Sequence, residues 1–192
     1  MSVEKLLRVI FDQRHCYLNH LQVISGFLQL DKIDKAREYI NRVSAELALL
    51  AGAAKIKIPE VSAALIVAVN EALGYHVDVE LAVETDLDRC SVPGNEAGLA
   101  LERCLNCAVS TLERAQTPSK RLKITAAEGR ASYSFRIHFL EEYPADPAYM
   151  ERELAAAADA LAPYGGRVNL ATANGGVEIF MTLPIRDAGK EV

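Results

Sequence analysis

From Val3 onward the apolar residues Leu7, Ile10, Tyr17, Leu21, Ile24 and Leu28 recur beside a polar row of Arg8, Asp12, His15, Asn19, Gln22, Gly26 and Gln29. Three- and four-residue steps stack side chains on one face of a helix, so the pattern predicts an amphipathic helix from Val3 to Leu30. At about 1.5 Å per residue it would be a rod roughly 40 Å long. A turn over Asp31 to Ile33 follows, with Asp31 and Asp34 as candidate N-caps. Beyond it Ala36, Ile40, Val43, Leu47, Leu50 and Ala54 repeat in steps of four and three, a seam for packing against another helix. The second helix should therefore fold back on the first. Two helices cannot cover both apolar stripes, so the hairpin is expected to pair with a second copy as a homodimeric four-helix bundle. The alternative is packing on its own C-terminal part, which sedimentation would distinguish.

Gly52 to Pro59 interrupts the seam, because Pro59 cannot continue a helix interior and Lys55 and Lys57 make the stretch polar. The expected organisation is a helical hairpin over 1–54, a connector over 55–59, an α/β domain over 60–186 and a tail over 187–192. Within the α/β domain the pattern predicts a helix from Glu60 to Leu73, a strand from His76 to Val83 and a helix from Asn95 to Arg114. Strands Leu122 to Ala127 and Tyr133 to Phe139, a helix Pro147 to Leu161 and a closing strand pair around Gly175 and Gly176 complete it. The fold class is α+β, with the C-terminal part a layer of helices on a sheet.

Composition narrows the class. With 192 residues and 51% hydrophobic content the chain can build a core without staples. Cys16, Cys90, Cys104 and Cys107 contain no pair of CxxC motifs, and no signal peptide is evident, so free thiols in a reducing cytoplasm are expected. Cys104 and Cys107 fall in an apolar helical run and read as core, not as a zinc site. The net charge of −5, without a basic cluster, argues against a nucleic-acid surface, and no apolar run is long enough to span a bilayer. The expected partner is protein.

By itself, a histidine on a polar helix face is most simply a solvated residue. The run from Arg14 to Asp34, RHCYLNHLQVISGFLQLDKID, adds more: it resembles the histidine-bearing helix of the sporulation initiation phosphotransferase B family and of sensor kinases that share this helical domain. Arg14, His15, Tyr17, Asn19, Leu21, Gln22, Ile24, Gly26, Leu28, Leu30, Lys32 and Asp34 carry the likeness. It implies that His15 is the phosphoryl-carrying residue. Asn19 would then contact phosphoryl oxygens or a receiver backbone, with Arg14 and Gln22 beside it. The chain departs from the family at Cys16, where an acidic residue usually follows the histidine. Asp12, one turn before His15, is the candidate to orient the ring instead. His20 is the second-choice histidine, on a different face, whereas His76 and His138 sit in strand patterns and read as structural.

Residues 60 to 186 resemble the ATP-binding domain of sensor kinases, most clearly in Asp159 to Leu183, DALAPYGGRVNLATANGGVEIFMTL. Its nucleotide chemistry calls for a magnesium-binding asparagine, an adenine-reading aspartate with glycines, and a glycine-rich lid. In this chain Arg103 and Cys107 stand at the asparagine positions, and a thiol is a poor ligand for hard magnesium. Leu140, Glu141, Glu142, Tyr143 and Pro144 replace the aspartate segment, and Ala148 to Ala162 is a strong helix former. The resemblance thus implies a phosphorelay histidine phosphotransferase, moving a phosphoryl group between the aspartates of two response-regulator receivers. No cofactor is expected in this chain, since magnesium would come with the receiver domain. A sensor-kinase core and a non-catalytic scaffold for a response regulator are the alternatives.

Overall fold

The computed structural model describes residues 3–115, 119–140, 147–173 and 176–186, excluding the side chains of residues 3–10, 12, 13, 147 and 173. The chain divides into two units, Met1–Ala51 and Gly52–Val192.

In the first unit, helices α1 (Val3–Gln29) and α2 (Ile33–Ala53) form the hairpin. Its turn corrects the expected caps. The Asp31 N–H donates to the Leu28 carbonyl and the Lys32 N–H to the Phe27 carbonyl, the paired bonds of a Schellman motif, with Asp31 left-handed at φ 56°. Asp31 thus closes α1 rather than opening α2. The Lys32 carbonyl accepts the first α2 bond, from Ala36, and Asp34 lies inside the first turn, where its charge suits the helix dipole.

The inward face of the hairpin also differs from the expected apolar row. Tyr39 of α2 meets Phe27 edge-on, with ring centroids 6.1 Å apart, and hydrogen-bonds His20. Val23, Ile24 and Phe27 are half-buried, and Ala36 is buried. Tyr17, Leu21 and Leu28, three members of the predicted row, are exposed, Leu21 by 64% and Leu28 by 55%. Ile40 and Leu47 of the predicted α2 seam are exposed too, and Ala54 lies beyond the helix end. A period of 3.6 locates a stripe; it does not say which neighbour covers it.

The second unit is a five-stranded sheet, in the order β1-β2-β3-β5-β4, under three helices. Helix α3 (Pro59–Gly74) begins with proline at its first position, where a missing N–H costs nothing. Strand β1 (Asp78–Val83) pairs in parallel with β2 (Arg121–Glu128), which needs the crossover helix α4 (Gly94–Arg114) between them. Strands β3 (Ser132–Leu140), β4 (Arg167–Ala173) and β5 (Gly176–Pro184) continue antiparallel, with helix α5 (Pro147–Leu161) preceding β4. Gly175, Glu141 to Pro144 and the tail over 187–192 lie outside the described residues.

Register collects the apolar residues on one face. Leu122 stands opposite Phe139, Ile124 opposite Ile137, Ala126 opposite Phe135, and Phe135 in turn opposite Met181, all buried. The intervening Lys123, Arg136 and Glu178 point the other way. Onto the apolar face α4 sets Ala97, Leu101, Cys104, Leu105, Ala108 and Leu112, all buried. Its Gly98 lies against the start of α3: a Cβ there would stand 2.5 Å from Glu60 Cβ and 2.9 Å from the Glu60 carbonyl carbon.

The expected strand from His76 starts later, at Asp78. His76 is left-handed at φ 59° and closes α3, with its N–H on the Leu73 carbonyl and the Val77 N–H on the Ala72 carbonyl. It is therefore a helix-closing residue and not part of a strand, whereas His138 is in β3 as expected. The same pair of bonds recurs at Gly165 and Gly166, where glycine occupies the left-handed position at no steric cost.

Candidate functional site

His15 lies near the middle of α1, so every backbone group around it is held within the helix and only its side chain is free for chemistry. The ring is exposed, and no described residue hydrogen-bonds to it. Asn19 and Gln22, one and two turns along, are exposed on the same face. The helix therefore presents His15, Asn19 and Gln22 together to solvent, a nucleophilic imidazole with amides beside it. Asp12 lies one turn earlier, but its side chain is outside the described part of the structure.

Two of the residues expected beside His15 are engaged with other side chains. The Arg14 guanidinium lies 5.7 Å from the Phe11 ring centroid, a cation–π contact on the flank of the helix. Cys16 meets His20 one turn further along the same helix, its sulfur 3.2 Å from His20 Nε2. On the other side of that ring, Nδ1 is 3.0 Å from the Tyr39 hydroxyl. A neutral imidazole has one donor and one acceptor nitrogen, and either tautomer satisfies both contacts. Tyr39 went unnoticed in the sequence. It is nineteen residues from His20, and only closure of the hairpin joins them.

In the second unit the residues at the two kinase asparagine positions face inward contacts. Arg103 Nη1 donates to Glu153 Oε2 of α5 at 2.8 Å, an ion pair tying α4 to α5. Cys107 is buried, and its thiol is pushed up to about 11 by desolvation, with Glu153 adding to the shift and Arg103 opposing it. Cys104, one turn earlier and buried deeper, is pushed up to about 12, mainly by desolvation. Both thiols are thus core groups held protonated at neutral pH. Among the described residues no three His, Cys, Asp or Glu side chains gather as a metal site, and no helix is long and apolar enough to cross a membrane.

Residues 1–56 match the model of the sensor kinase SpoOB-type, alpha-helical domain. No curated protein matches the chain. Among solved structures, the catalytic domain of histidine kinase ThkA aligns with a TM-score of 0.54 at 12% identity, covering 66% of this chain and 90% of that one. Acinetobacter baumannii histidine kinase AdeS aligns with a TM-score of 0.51 at 11% identity, covering 90% of this chain and 98% of that one. A histidine kinase ThkA structure, in complex with response regulator protein TrrA, gives 0.55 at 12% identity over 98% of this chain and 63% of that one. At such identities the likeness is one of fold, and the sheet-and-helix unit has the fold of a histidine-kinase catalytic domain.

Proposed function

We propose that this chain, whose N-terminal residues 1–56 are a sensor kinase SpoOB-type alpha-helical domain, is a histidine phosphotransferase of a two-component phosphorelay. His15 carries the phosphoryl group between the aspartates of two response-regulator receivers. An imidazole nitrogen attacks the phosphorus of an aspartyl phosphate, the P–N bond forms as the P–O bond breaks, and the carboxylate leaves. The reverse exchange delivers the group to a second aspartate.

The observation that carries this reading is the pairing of an exposed His15 in such a domain with asparagine-box positions given over to other work. Arg103 is spent on Glu153 and Cys107 on the core. With no oxygen ligand for magnesium at either position, the phosphoryl group is better drawn from a phosphorylated protein than from ATP. In-line transfer asks the hairpin only for a positioned nucleophile, because charge neutralisation belongs to the receiver's magnesium and lysine. The response regulator bound to histidine kinase ThkA makes a receiver the fitting partner class.

The exposed row of Tyr17, Leu21 and Leu28 supports a homodimer, in which two copies bury these rows in a four-helix bundle. The test is incubation with purified receiver domains phosphorylated on aspartate. The reading requires acid-labile label on His15 and none in His15→Ala; labelling from ATP and magnesium would instead establish a sensor kinase.

A further inference from the structure

Of the four cysteines, Cys90, Cys104 and Cys107 are buried and Cys16 alone is exposed. Among the described residues it is also the only one with an imidazole at its sulfur, His20 Nε2 at 3.2 Å. The ring of His20 is oriented in turn by the Tyr39 hydroxyl at 3.0 Å on Nδ1. Tyr39 is itself fixed: Phe27 meets its ring edge-on, and the Arg42 guanidinium lies 4.6 Å over its face. A nucleophile, a base within hydrogen-bond reach and a third group orienting that base make the arrangement by which cysteines are activated.

We propose that Cys16, His20 and Tyr39 form a reactive-thiol site whose substrate class is small hydroperoxides. The Cys16 sulfur attacks the outer oxygen of ROOH, so that an S–O bond forms and the O–O bond breaks. The thiol proton passes to His20 Nε2 and from there to the departing alkoxide. The products are a sulfenic acid on Cys16 and ROH, the sulfur oxidised by two electrons and the peroxide reduced by two. Because the remaining cysteines lie buried in the other unit, no described thiol of the hairpin can condense with the sulfenic acid, which is left open to small thiols. The modified residue sits next to His15 in the chain. The chemistry rests on the hairpin geometry alone and stands or falls separately from the phosphotransfer reading.

The experiment treats the full chain with hydrogen peroxide, traps sulfenic acid with dimedone and quantifies each cysteine by peptide mass spectrometry. Cys16 should label while Cys90, Cys104 and Cys107 do not. Its rate in the native protein should exceed that in urea-unfolded protein at the same pH by about tenfold or more, a modest share of the roughly 10²–10⁴-fold that a positioned general base supplies. His20→Gln, shown by circular dichroism to keep its helices, should lose that excess, and Tyr39→Phe should lose part of it. Equal rates in native and unfolded protein, or an undiminished rate in His20→Gln, would overturn the proposal.

Discussion

Replacing Gly98 by alanine probes the contact on which the second unit is assembled. Ordinarily an alanine inside a helix is worth about 1 kcal/mol over glycine. Here the added Cβ would stand 2.5 Å from Glu60 Cβ, 2.9 Å from the Glu60 carbonyl carbon and 3.0 Å from its oxygen. Carbon atoms settle about 3.5–4.0 Å apart, so α3 and α4 must separate by roughly 1 Å. No rotamer relieves this, because the atoms met are backbone and Cβ. Separation loosens Val61 and Leu65 of α3 and Leu101 and Leu105 of α4, all buried. Overpacking costs about 1–3 kcal/mol, and contacts this short with backbone and Cβ belong in the upper part, about 2–3 kcal/mol, which leaves a net loss of about 1–2 kcal/mol once the helix preference is returned. For a domain of this size that is a fall in Tm of about 3–8 °C by calorimetry. The double variant Glu60→Gly with Gly98→Ala, which removes the nearest of the three atoms, should lose less than the sum of the singles. A Gly98→Ala protein as stable as the parent would refute the close approach of the two helices.

His76→Gly should raise stability by about 0.5–1 kcal/mol in urea unfolding, since glycine relieves the left-handed strain at φ 59° and gives back only part of it as chain entropy. Cys104 and Cys107 hold their thiols up to about 12 and about 11, so their stabilisation is intact below the ordinary thiol range near pH 8.5–9. Above it the unfolded chain loses these protons first, and stability should fall from about pH 9 to about pH 11–12, more shallowly in a Cys104→Ala, Cys107→Ala variant; parallel pH profiles would contradict the assignment. Leu21→Lys with Leu28→Lys should yield monomers by analytical ultracentrifugation where the parent sediments as a dimer, and a parent monomeric at micromolar concentration would end the bundle reading.

Much of the fold is local and therefore legible. The alternation in Leu122 to Ala127 and Tyr133 to Phe139 marks strands whose inward residues are the buried ones, and Pro147 to Leu161 is a helix with those bounds. Helix ends were harder, because the left-handed position that closes α1 and α3 is filled by Asp31 and His76 rather than by the glycine that signals it. Asp31 carries the composition of an N-cap and the conformation of a C-terminal closure. The candidate site divides the same way. Exposure of His15, Asn19 and Gln22 and the pairing of Cys16 with His20, four residues apart, follow from helical period, but the bond from His20 to Tyr39 depends on which face of α1 the second helix covers. That choice is tertiary. The roles at Arg103 and Cys107 were visible as substitutions, yet the ion pair to Glu153 needed α5 packed against α4.

The proposed phosphotransfer requires that His15 take its phosphoryl group from a receiver aspartate and not from ATP. Its most direct test is to incubate the full chain, in parallel, with radiolabelled phospho-receiver and with radiolabelled ATP and magnesium, and to locate the label by peptide mass spectrometry. Acid-labile label on His15 from the phospho-receiver, its loss in His15→Ala, and no label from ATP are expected; label from ATP, or a phospho-receiver that leaves His15 unmodified, would overturn the proposal.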